Sequence, residues 1–335
     1  MVSLKTFRRV ALATTVLALV VVVMGAYVRL SHAGLSCPDW PGCYGQLLVP
    51  GAAAEVTAAN AQYPHRPVDV ERAWKEMTHR YLAGLLGLSI LMMAVLAWRR
   101  RRMPGQQVGM PVMLVGLVIF QALLGMWTVT LLLKPAVVVA HLLGGQVTLA
   151  LCWWLFLRHG GREPAAAVPA GPRGAIWLAL AVIFFQIGLG GWTSANYAAL
   201  ACPDFPLCQG RLWPQMSFAE GFQIWHGLGR NFEGGVLAGD ARVAIHVVHR
   251  LGALVTFLYV GGLAVYLMRR RVSRGLSMAA GFMLLALIVQ VALGIGNVVF
   301  QLPLAVAVAH NGVAALLLLS AVSVYHMVLP PNSAL

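Results

Sequence analysis

Apolar residues dominate eight stretches of the chain, at roughly 10–30, 73–98, 109–132, 136–157, 175–195, 243–268, 277–299 and 303–328. Polar and basic residues collect in the breaks between them. A helix needs about 20 mostly apolar residues to cross the hydrocarbon of a bilayer, so the pattern predicts eight membrane-spanning helices. The first stretch is longer than the apolar core of a typical signal peptide and lacks a small-x-small cleavage site, so it reads as a helix. Two breaks are long, at about 31–72 and 196–242, and the turns near Lys134 and Leu302 are short. The mean hydropathy of +0.79 and the 10% share of charged residues agree with an all-α membrane protein and exclude a soluble domain.

Charge then sets the expected orientation. The net charge of +14 would suit a nucleic-acid partner, but its distribution excludes one. Fourteen of the 24 basic residues fall in the termini and the breaks on one side, including Arg99–Arg102 and Arg269–Arg271. Nine of the ten acids fall on the other side, Glu163 being the exception. Positive residues mark the cytoplasmic face. Both termini are therefore expected inside and the long loops outside. The chain shows no Arg- and Ser-rich transit peptide, which points to a bacterial inner membrane.

The chain also repeats itself. "CPDWPGCYGQLLVP" from Cys37 returns as "CPDFPLCQGRLWP" from Cys202, 165 residues later. "EMTHRYLAGLLG" (76–87) returns as "HVVHRLGALVTF" (246–257), and "QALLGMWTVTLLLKPAVVVAHLLGG" (121–145) as "QVALGIGNVVFQLPLAVAVAHNGVA" (290–314). Offsets of 170 and 169 extend the match across each half. Each half holds four spans, an even number, so both have the same orientation. The expected fold is two tandem four-helix bundles related by a pseudo-two-fold axis along the membrane normal. The expected boundaries are 1–160 for the first bundle, 161–174 for a Gly-, Ala- and Pro-rich linker, and 175–335 for the second.

Four of the ten histidines recur in register, His79 with His249 and His141 with His310. His79 and His249 each precede a cytoplasmic arginine by 20 residues, about 30 Å of helix at 1.5 Å per residue. All four thus lie near the outer edge of the membrane. Ionisable groups at such depth are costly and mark function. Two imidazoles facing each other across a bundle suit the axial positions of a heme iron, whereas zinc needs further ligands nearby. Gln and Gly recur four apart at 121–125, 186–190 and 290–294, and "MGAY" (24–27) has small residues at the matching place. Small residues let helices approach closely or let a porphyrin lie flat.

The halves differ one turn before the first histidine. Glu76 shares a helix face with His79, where the second half has His246 beside His249. A carboxylate near a porphyrin can act as a base or stabilise positive charge; alternatively Glu76 pairs with Lys75, Arg72 or Arg80. Arg80 and Arg250 follow the matched histidines and are expected to meet heme propionates or to snorkel to the interface. A diheme b-type electron-transfer protein also needs two histidine pairs, but gives Glu76 no role. A repeat-built transporter places its sites nearer the midplane.

Taken together, "EMTHR", "AHLLGG", "HVVHR", "AHNG" and the loop peptide "CPDWPGC" resemble the heme A synthase family over nearly the whole chain. The resemblance implies oxidation of the C8 methyl of heme O to a formyl group. It implies heme b as cofactor on His249 and His310, beside which the comparison of the halves places His246 and Arg250 in support. It implies heme O between His79 and His141, with Arg80 in support and Glu76 at the reacting edge. Candidate partners are heme O synthase and an electron acceptor. The loop cysteines are expected as Cys37–Cys43 and Cys202–Cys208, pins for proline-rich loops in an oxidising compartment, with a redox-active role as the alternative. Cys152 lies inside the fourth span and reads as packing.

Overall fold

The computed structural model describes residues 4–103, 105–160, 171–227 and 229–329. Eight helices are long and apolar enough to span a membrane: α1 (Leu4–Leu30), α3 (Val70–Arg99), α4 (Gly109–Thr130), α5 (Pro135–Arg158), α6 (Gly171–Ala195), α8 (Gly239–Arg270), α9 (Arg274–Val299) and α10 (Leu304–Val328). They are the eight stretches read from the sequence. Two short helices lie in the long loops, α2 (Ala53–Gln62) and α7 (Phe218–Gly221). No strand occurs among the described residues. Most of the linker expected at 161–174 lies outside the described residues, and its last four residues already belong to α6.

Local chemistry explains the ends. Asp69 caps α3 by accepting from the Arg72 N–H at 3.0 Å, and Ser273 caps α9 through the Leu276 N–H at 3.2 Å. Glu55 reaches back to the Gly51 and Ala52 N–H groups and so starts α2. The loop-side ends of α1, α4, α6 and α9 close alike. A residue with positive φ (His32, Leu132, Tyr197, Gln301) precedes an amide that bonds a carbonyl five residues back. Ala33 to Val28 matches Ala198 to Thr193, and Leu133 to Thr128 matches Leu302 to Asn297. The duplication read from the peptides thus extends to the turns.

In the first half α1 packs on α3 and α5, and α4 closes the ring against both; α6, α8, α9 and α10 form the same ring in the second. The halves meet where α1 packs on α10, α5 on α6 and α5 on α10. Exchanging the halves maps this set of pairs onto itself, which fits the expected two-fold. Arg29, at the end of α1, donates to the Ser194 carbonyl at 2.7 Å, where the C-terminal end of α6 carries partial negative charge. Trp153 on α5 donates to Ser323 Oγ on α10 at 2.8 Å.

The loops break the symmetry. The second long loop crosses onto the first half, where the Phe232 N–H bonds the Leu132 carbonyl at 3.0 Å and Arg66 pairs with Glu233 at 3.0 Å. Lys134, fully buried, donates to the Gly227 carbonyl at 2.7 Å and sits 2.9 Å over the Trp225 ring. Among the described residues of 217–232, only the single turn of α7 is helical. Gly227 and Gly229 take positive φ, and the segment runs irregularly to reach the Lys134 turn.

Close packing between the halves depends on Gly191 of α6, where a Cβ would lie 2.6 Å from Leu142 Cδ2 on α5. Gly191→Leu overfills this seam. It should lower stability by about 1–3 kcal/mol, read as a lower unfolding temperature in detergent. An unchanged temperature would show that the helices part freely there.

Candidate functional site

Each half encloses a cavity at the loop end. The larger, about 1020 Å³, lies within α1, α3, α4 and α5, and His79, His141, Glu76 and Arg80 line it. The smaller, about 480 Å³, lies within α6, α8, α9 and α10, and His246, His249, Arg250 and His310 line it. The eight membrane-depth residues singled out in the sequence therefore fall into two sets, one per cavity. The cavities adjoin, with Leu30, Gly191, Ser194 and Asn311 in the wall of both.

Each matched histidine lies against a glycine of the neighbouring helix. A Cβ on Gly25 would come 3.1 Å from His79 Cε1, and one on Gly125 would come 3.4 Å from His141 Cε1. The same holds for Gly190 with His249 at 3.2 Å and Gly294 with His310 at 3.1 Å. Three of these glycines end the Gln-x-x-x-Gly runs, and Gly25 stands in "MGAY". Their use is close approach: the imidazole edge occupies the space of a side chain.

The glutamines of those runs act differently in the two halves. Gln186 Nε2 lies 3.1 Å from His249 Nδ1 and donates to the His249 carbonyl at 3.0 Å. Gln290 Nε2 lies 3.2 Å from His310 Nε2, and His310 Nδ1 lies 3.1 Å from the Gln290 carbonyl. In the first half, Gln121 Nε2 and His79 Nδ1 have no hydrogen-bond partner among the described residues. Among those residues, no group of three or more His, Cys, Asp or Glu is assembled to hold a metal ion. Paired imidazoles in a wide apolar cavity are the donor set of a planar macrocycle with two axial ligands.

Glu76 is 4% exposed. Its Oε1 lies 2.5 Å from Arg80 Nη2, and its Oε2 accepts from the Cys37 N–H at 2.9 Å. Lys75 pairs with Glu71 and Arg72 with Asp69, so Arg80 is the basic partner of Glu76. His246 occupies the matching place, with Nδ1 3.3 Å from the Cys202 amide and Nε2 3.2 Å from Arg250 Nε. A neutral imidazole accepts at one nitrogen only, whereas a carboxylate accepts at both oxygens. The first half thus holds its loop more firmly and carries a negative charge at the cavity wall.

The two arginines hold the loops. Arg80 Nη1 donates to the carbonyls of Asp39, Pro41 and Gly42. Arg250 donates to those of Leu207, Cys202 and Asp204, at 2.8–3.0 Å. They line the cavities, and these donors face loop main chain. The loops they hold are the repeated cysteine peptides, and disulfides close both, Cys37–Cys43 and Cys202–Cys208. Asp39 accepts from the Tyr44 and Gly45 N–H groups, and Asp204 from those of Gln209 and Gly210. Trp40 and Pro41 cover the larger cavity, and Phe205 and Pro206 the smaller. The peptides are lids. Sequence reasoning passed over both aspartates, although each recurs two residues after its cysteine. Cys152 is free and fully buried, as packing requires.

The chain matches the family model described as cytochrome oxidase assembly protein, COX15-CtaA, over residues 8–322. It is 45% identical to a heme A synthase of Shewanella oneidensis over 314 residues, 93% of each chain. It is 30% identical to one of a Caulobacter species over 327 residues, 91% of each. A heme A synthase of Halalkalibacterium halodurans is 29% identical over 218 residues, 64% of this chain and 67% of that one.

The second lid has an acid-sensitive fastening. The Gly210 and Gln209 N–H groups hold the Asp204 carboxyl below its ordinary value of 3.8. A depressed value means that the fastening is complete above the unfolded value and is lost as pH falls through the folded one. Hydrogen exchange at the Gln209 and Gly210 amides should therefore accelerate, relative to a free peptide, only below about pH 4. Asp204→Asn should remove that step, and a step that persists would assign it to another group.

Proposed function

The chain belongs to the COX15-CtaA family of cytochrome oxidase assembly proteins, and from that premise we propose how its two cavities share one reaction. The protein is a heme A synthase-type oxidoreductase that converts heme O to heme A in the membrane. The larger cavity receives heme O between His79 and His141. His249 and His310 would hold heme b in the smaller cavity, where, when bound, it supplies one-electron transfer. The carrying observation is the inequality of two matched sites: the larger has a buried carboxylate, and the smaller an imidazole at the same place. A diheme electron carrier leaves that inequality without a use.

The side chains divide the work. Gln186 and Gln290 stand against the acceptor nitrogens of His249 and His310, so each amide has to turn aside for its imidazole to hold an iron. The peptides bearing Trp40 and Phe205 form part of the cavity walls at the loop end. With water as the oxygen source, R–CH3 + H2O gives R–CHO + 4 H+ + 4 e−, the electrons passing to the acceptor, so positive character develops on that carbon. Glu76, its charge fixed in place by Arg80 and the Cys37 N–H, stabilises that character or accepts the proton released. The termini lie in the cytoplasm and the lids outside, as the basic residues direct, and an outside location suits two disulfides. Heme O synthase upstream and an electron acceptor are the partners this reaction requires.

Glu76→Gln keeps the shape and removes the charge. Turnover should fall about 10²–10⁴-fold, with heme O or a hydroxylated intermediate accumulating and the b-type spectrum intact. A near-normal yield of heme A would leave Glu76 as a lid fastener only. His246→Gln, the counterpart, should disturb the b-type spectrum more than turnover.

His249→Ala or His310→Ala should each remove the low-spin b-type spectrum of the purified protein. A full b-type spectrum in either variant would overturn the assignment of the second half.

A further inference from the structure

Heme O differs from heme b by a hydroxyethylfarnesyl chain in place of one vinyl group. A site that takes heme O must accommodate that chain, and a site for heme b need not. The two cavities differ in this sense at matched wall positions. Gly84 and Gly87 on α3 stand where Leu254 and Phe257 stand on α8; Val118 and Ala122 on α4 stand where Leu287 and Val291 stand on α9. All eight line their cavities, and at each of the four places the first half has the smaller residue.

The result is an arm on the larger cavity along the seam of α3 and α4. It reaches Leu91, 12 residues beyond His79 and so about 18 Å along the helix, while the smaller cavity ends on α8 at Phe257, about 12 Å beyond His249. Its wall includes Leu88 and Ile119, which are exposed on the apolar outer face, so the arm opens sideways into the bilayer.

We propose that the α3–α4 arm is the seat of the isoprenoid chain of heme O, and that Gly84 and Gly87 are specificity-determining residues that admit it. The proposal rests on the reading of the first half as the substrate site. The chain lies along the seam with its far end toward lipid, and the porphyrin stays between the histidines. Leucine and phenylalanine at the matching places deny the second cavity such an arm.

The test places the second half's residues in the first. A Cβ on Gly84 or Gly87 meets no atom within 4 Å, so the helix backbone itself does not oppose Gly84→Leu and Gly87→Phe. The full chain, purified with its b-type spectrum as a check on folding, is titrated with heme O and, separately, with added heme b. Soret absorption reads both. The double variant should bind heme O roughly 10- to 200-fold more weakly and added heme b as before, with Gly84→Ala intermediate. Unchanged heme O affinity in the double variant, with His79→Ala still weakening it, overturns the arm alone and leaves the groove to lipid acyl chains. Equal losses for both hemes would mean a damaged porphyrin site and also overturn it. If His79→Ala leaves heme O binding intact, the substrate half is misassigned and both readings fall.

Discussion

Four imidazoles inside a bilayer-sized bundle are the constraint to which the rest conforms. A buried polar ring needs a fixed place, and here the place is the missing side chain of a glycine on the adjacent helix. Each contact sets the distance and rotation of two helices, α1 to α3, α4 to α5, α6 to α8 and α9 to α10. The four contacts thereby fix the two rings of four. Cavities follow as the space left at the histidine level, while the other ends of the bundles close through apolar packing. Function follows from what turns into that space.

Duplication supplied two such frames, and small replacements made them unlike. A carboxylate in place of an imidazole puts a fixed charge at one wall. Glutamine at 186 steadies a histidine, while valine at the corresponding position, Val21, leaves the matching one without that contact. The second loop, having no counterpart to its crossing, binds the halves through Lys134 and Trp225. One frame became suited to holding and the other to exchanging.

The sequence made the frame legible and left the fastenings obscure. All eight spans, the repeat, the histidine register and the disulfide pairs could be read because apolar runs, offsets and cysteines are properties of residue type. The role of Arg80 and Arg250 could not, because their partners are main-chain carbonyls, which every residue carries. Helix α2 was passed over because its ten residues are few and its start depends on Glu55 reaching back. The unequal cavities were visible only as Gly84 against Leu254 and Gly87 against Phe257, differences that are ordinary in apolar helices until a cavity gives them a common wall.

The arginine fastening of the lids has a consequence for how such a protein can change. A guanidinium that grips backbone oxygens reads the path of a loop and ignores its side chains. Trp40, Phe205 and Leu207 can therefore be exchanged without loosening the grip, whereas Asp39, Cys202 and Asp204 fasten the path with their own side chains. Lid chemistry is in that sense modular. The face that each lid presents to its cavity can be retuned, Trp40 to Phe205 or the reverse, while the hinge that carries it stays the same.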